Sequence, residues 1–110
     1  MKLSEIKGDR VMDVVADLIG PVAILADDPE VVKLFRMEKV PEGTDARKYL
    51  MDRLKRGLPP LLKTHKVELV QILATLEGVE PDEYAEKMTL SSLFHDLLEL
   101  LTDKAFEEFF

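Results

Sequence analysis

The sequence predicts an all-α fold, a compact irregular bundle of about six or seven short helices in a single helical domain over residues 1–110. Three observations carry that reading. Apolar residues recur at steps of three and four along nearly the whole chain, and no segment alternates as a strand would. Acid–proline–acid signals at Asp28-Pro29-Glu30 and Glu80-Pro81-Asp82 mark helix starts, and singly scattered glycines mark stops. Finally, 110 residues with 46% hydrophobic side chains supply one modest core without staples.

The elements follow in order. Val11, Val14, Val15, Leu18, Ile19 and Val22 share one helical spacing, while Asp9, Asp13 and Asp17 recur every four residues on another face. Asp9, just after Gly8, suits a helix N-terminus. Gly20-Pro21 is expected to break or kink this helix, because Pro21 lacks an amide donor and crowds the preceding turn. Residues Val22 to Ala26 then form a short buried helical piece. Asp28-Pro29-Glu30 opens a helix carrying Val31, Val32, Leu34 and Phe35. Arg36 to Gly43 reads as the longest loop. Thr44 and Asp45 cap a helix running to about Arg56, with Ala46, Leu50, Met51 and Leu54 inward, and Gly57 stops it.

Pro59-Pro60 begins another piece. Lys66 to Leu76 follows as a helix apolar on most sides, which belongs at the centre of the core. Gly78 ends it, and Pro81 starts a short helix to about Lys87. Thr89 or Ser91 caps an amphipathic helix bearing Leu90, Leu93, Phe94, Leu97, Leu98 and Leu101. A last segment carries Phe106, Phe109 and Phe110.

Composition narrows the function classes. No cysteine is present, so disulfides and thiolate metal sites are excluded, and no apolar run reaches the ~18 residues of a membrane span. The N-terminus has no apolar signal core, and the expected location is the cytoplasm. The net charge is −7, unevenly spread. Residues 44–67 hold seven bases against two acids, whereas residues 68–110 hold eleven acids against two bases. An acidic balance speaks against nucleic acid as the main partner.

No catalytic, metal or cofactor constellation stands out. Ser91, His95 and Asp96 contain the residue types of a nucleophile relay, but they lie along one helix with no strained nucleophile turn. Asp9, Asp13 and Asp17 form a solvated face rather than a cation loop. No glycine-rich phosphate loop occurs, so no cofactor is expected. Two features point instead to protein partners: the basic face around Arg47, Arg53 and Arg56, and the terminal cluster Phe106, Phe109 and Phe110. The phenylalanines either fold back on the core or project as an apolar anchor.

The chain also resembles a family. Met1-Lys2-Leu3-Ser4-Glu5-Ile6-Lys7-Gly8, followed by Val14-Val15-Ala16-Asp17-Leu18-Ile19 and Pro21, looks like small proteins of the tail modules of long-tailed phages and prophages of Gram-positive bacteria. The likeness continues through Asp28 to Phe35, Leu73 to Val79 with Pro81 to Tyr84, and Leu97 to Asp103. Those proteins are similar to tail assembly chaperones. The resemblance implies a small, acidic, helical, non-enzymatic protein that binds the tape-measure protein and keeps it soluble while the tail tube assembles. It further implies self-association and contact with the tail tube protein in a longer, frameshifted form, beside which this chain looks like the short version or a trimmed piece. The alternative class is a small DNA-binding regulator or another helical interaction module of a mobile element.

Overall fold

The computed structural model describes residues 2–36, 42–43 and 45–110. After a one-turn 3-10 helix at Leu3–Glu5 come α1 (Arg10–Ala26), α2 (Pro29–Phe35), α3 (Ala46–Lys63), α4 (Lys66–Glu77), α5 (Pro81–Lys87), α6 (Leu90–Leu101) and α7 (Lys104–Glu107). The described residues contain no strand. Helix α4 is the centre: it packs against α1, α3 and α5 and buries Leu69, Ile72, Leu73, Ala74 and Leu76. With Leu18, Leu25, Val31, Leu61 and Phe106 these form one continuous core. Each fully buried Leu or Phe is worth roughly 1.5–3 kcal/mol of transfer free energy.

The starts and stops follow local chemistry. Asp28 caps α2, its Oδ1 accepting from the Glu30 N–H at 3.1 Å, with Pro29 in the first turn. Asp45 does the same for α3 through the Arg47 N–H at 3.0 Å. Thr89, not Ser91, caps α6, in a reciprocal pair with Ser92. Gly78 leaves α4 in the left-handed region (φ 76°), and the Val79 N–H turns back to the Ala74 carbonyl at 3.1 Å. The expected loop falls largely on residues 37–41, which lie outside the described residues, as does the Thr44 cap.

Two expected breaks are absent. Helix α1 runs unbroken through Gly20 and Pro21 to Ala26. Helix α3 does not stop at Gly57 but continues through Pro59 and Pro60 to Lys63. Each proline withdraws a donor from the carbonyl four residues earlier: Asp17 for Pro21, Lys55 for Pro59 and Arg56 for Pro60. Those three residues are exposed, on the side of each helix where water is at hand to stand in for a missing amide. Pro21 is buried, as are Val22 and Leu25 beyond it, and Leu61 lies beyond the double proline, so core packing holds both helices together.

Gly57 has a different use. It is buried against α2, and a Cβ placed there would lie 2.7 Å from the Leu34 Cβ. Its missing side chain lets α2 and α3 approach closely. The inward face of α3 is accordingly shifted along the helix: Leu54, Leu58, Leu61 and Leu62 point to the core, while Ala46 and Met51 are exposed.

The two ends of the chain meet. Asp103 is buried, and its carboxylate accepts from the Leu3 N–H at 2.5 Å and from the Ala105 N–H at 3.1 Å. One side chain thus caps α7 and holds the N-terminal turn against it.

Candidate partner-binding surface

The terminal phenylalanines are part of the fold. Phe106 is fully buried, and Phe109 and Phe110 pack half-buried against the core. Phe35 meets Phe106 edge to face at 5.2 Å between centroids and stacks on Phe110 at 5.1 Å. The projecting-anchor expectation for Phe106, Phe109 and Phe110 therefore gives way to core packing, because Phe35 receives Phe106 and Phe110, and Phe109 packs on Phe106.

The basic face divides in the same way. Arg47 and Arg56 are exposed. Arg53 instead donates to the carbonyls of Lys33 and Leu34, at 2.7 Å each, and to that of Arg36. These are the orphan carbonyls at the end of α2, so Arg53 serves as a helix C-cap. No sequence spacing announces this, since Arg53 reaches across to another helix.

The candidate chemistry does not assemble into a relay. His95 is exposed and turns towards Asp96 (3.4 Å) and Glu99 (3.7 Å) rather than to a serine. Asp96 accepts from the Tyr84 hydroxyl at 2.5 Å, and burial, then this bond, raises the tyrosine above its ordinary range. His95, Asp96 and Glu99 bring ligating atoms within 4.8 Å of one another and are, among the described residues, those that could hold a metal ion. All three project from α6, and the Tyr84 hydroxyl of α5 already occupies one Asp96 oxygen. His65 is buried and pairs with Asp28 at 2.8 Å, joining the caps of α2 and α4. That bond holds the Asp28 carboxyl below its usual range.

What the structure does leave open is apolar. On α1, Met12, Ala16, Ile19, Ala23 and Ala26 follow one another at steps of four, three, four and three residues, and all five are exposed. Met12 is 71% and Ile19 57% exposed. This spacing is that of a coiled-coil seam. Beside it, Val11 and Val15 of the same helix enter a groove completed by Leu3, Ser4, Ile6, Ala105, Glu108 and Phe109. The seam and the groove adjoin on one side of α1. The exposed row of Asp9, Asp13 and Asp17 borders the seam on the other side, and Glu108 lies across the groove. Of the six residues singled out from sequence, only Phe109 lines this surface.

Helix α6 carries a second open stripe. Leu97 and Leu100 are buried and Leu93 and Leu101 partly so, but Leu90 is 85% and Phe94 61% exposed, with Leu98 also out. The apolar sector of α6 is wider than the strip that can touch the core. Comparison with protein-family models, curated proteins and solved structures finds no match. No described helix is long and apolar enough to cross a membrane.

The sequence signal for the α1 seam was present. Ile19 fits two helical patterns, one with Val15 and Val22 and one with Met12, Ala16 and Ala23. The structure places it in the second.

Proposed function

We propose that this protein is a tail assembly chaperone of a long-tailed phage or prophage, binding the tape-measure protein and keeping it soluble during tail tube assembly. The observation that carries the reading is the amount of apolar helix face left open on α1 and α6 of a strongly acidic molecule. Exposed apolar patches on a small domain mark surfaces that meet a partner. A tape-measure protein is a long helical chain with apolar stripes of its own, and covering them needs such faces. The net charge of −7 keeps the covered complex dispersed. The resemblance in sequence, which spans most of the chain, supports the same role, and with it a bacterial host cytoplasm as the working compartment.

The test is co-expression with the protein encoded immediately downstream, followed by size-exclusion chromatography with light scattering. A soluble complex of fixed stoichiometry with a long helical neighbour is the expected result. A neighbour that stays insoluble, or that elutes alone, removes the chaperone reading.

A further inference from the structure

We infer that the α1 seam, together with the groove beside it, is a docking site for one amphipathic helix of a partner protein whose apolar stripe is bordered by lysine or arginine. This inference deepens the chaperone reading and rests on it for the identity of the client, but not for the existence of the site.

Geometry specifies a helix. Steps of four and three residues keep an apolar line facing a second helix laid along the first, as in knobs-into-holes packing. Ala16, Ala23 and Gly20 are small, and nothing lies within 4 Å of a Cβ built on Gly20, so a second backbone can come close over the middle of α1. Val11 and Val15 carry the apolar surface from the seam into the groove towards Phe109. A docked helix thereby reaches α7 and the N-terminal turn as well as α1.

Charge specifies the borders of that helix. Asp9, Asp13 and Asp17 line one side of the seam, and Glu108 stands at the groove on the other. A partner with acids at its edges meets like charge along the N-terminal half of α1 and at Glu108, whereas one with bases is attracted at both. A second copy of this chain is a poorer fit, because its α1 brings no row of bases to those aspartates: Arg10 is the one cation in that helix. The basic helix α3 of another copy offers the right charge, but Met51 is its one large exposed apolar side chain among the described residues.

The experiment uses the full chain and two synthetic three-heptad peptides with leucine at the a and d positions, one carrying lysine and the other glutamate at e and g. Fluorescence anisotropy should show saturable binding of the lysine peptide, one per chain, weakening as salt rises, and no binding of the glutamate peptide. Ile19→Asp and, separately, Met12→Asp should each lose about tenfold or more in affinity, equivalent to about 1.4 kcal/mol. Leu90→Asp on α6 should bind as the wild type does. Because both seam substitutions make the protein more acidic, simple charge attraction predicts tighter binding by them. Retained or increased affinity in those variants overturns the site, as does loss of binding in Leu90→Asp alone. Both seam residues are exposed, and far-UV circular dichroism of each variant confirms its fold. Replacing Asp13 and Asp17 by lysine should shift preference towards the glutamate peptide.

Failure of the site and failure of the chaperone reading separate cleanly. If the Ile19→Asp protein still solubilises the downstream neighbour as well as the wild type does, the chaperone reading stands and this surface is wrong. If the wild type binds the lysine peptide but never solubilises the neighbour, the site stands and the client does not.

Discussion

Gly57 of α3 lies against Leu34 of α2 so closely that a methyl group on the glycine would sit 2.7 Å from the leucine Cβ. The blocking atom is next to the backbone, not at the end of a flexible chain, so relief requires moving a helix.

Gly57→Ala is therefore expected to destabilise the protein by about 1–3 kcal/mol through overpacking, despite alanine's better helix propensity. Gly20→Ala is the control. Gly20 is also inside a helix but faces open space, and the same change there should stabilise by about 0.5–1 kcal/mol. Urea unfolding of both variants measures the pair, and equal effects would contradict the close approach.

Arg53 closes the end of α2 by donating to three carbonyls, whereas Arg47 and Arg56 are exposed. Arg53→Ala should cost about 2 kcal/mol, the scale of charged hydrogen bonds lost at a partly buried site. All three carbonyls accept from one nitrogen, Nη2, so Arg53→Lys, whose ammonium carries three N–H donors, should recover part of this. Thermal melts of the Arg47→Ala and Arg56→Ala proteins should overlay the wild type.

The pair of Asp28 and His65 makes stability depend on pH at the acid end. Asp28 caps α2, and the His65 hydrogen bond holds its carboxyl in the folded state below the ordinary aspartate value. Its contribution is fully present above the unfolded value and is lost as pH falls through the lowered folded value. Denaturant unfolding at stepped pH should show this loss in the wild type and a flatter curve in Asp28→Asn over the same acid window. At neutral pH, Asp28→Ala should cost about 1 kcal/mol for the cap alone.

Much of the fold is legible in the sequence. Asp28-Pro29-Glu30, Pro81 and Thr89 identify helix starts because a cap acts on its own next turn, and Gly78 identifies a stop because a left-handed residue is a local need. What local reasoning mistakes are Pro21, Gly57, Pro59 and Pro60, each a breaker by propensity and each carried through by packing. Burial of Leu25 and Leu61 beyond the prolines outweighs the local cost, and only the tertiary structure supplies that burial. The partner surface divides similarly. Phe106 and Arg53 look available as residue types, yet Phe35 and the end of α2 claim them, through contacts that sequence spacing does not encode. The stripe of Met12, Ala16, Ile19 and Ala23 follows the opposite logic: its period is readable, and only the filled core shows that it faces outward.

Phe106 and Asp103 are the buried residues with most to lose at the C-terminal end. Phe106→Ala should cost about 3–5 kcal/mol, as a large aromatic removed from a filled core. Asp103→Ala strips the α7 cap and the partner of the Leu3 N–H together, and about 2–4 kcal/mol is expected. Hydrogen exchange adds a spatial check, because in Asp103→Ala the amides of Leu3 and Ala105 should lose protection before those of α4.

The bond between Asp103 and Leu3 also sets an order of events on the ribosome. Leu3 emerges first, but the carboxylate that fixes it is made a hundred residues later, an interval of roughly 5–20 s at ordinary elongation rates. Throughout that interval the nascent chain carries Leu3 and Ile6 without the α7 side of their groove. The nascent chain thus passes through a stage in which Leu3 and Ile6 are unclaimed apolar residues, covered only when α7 arrives.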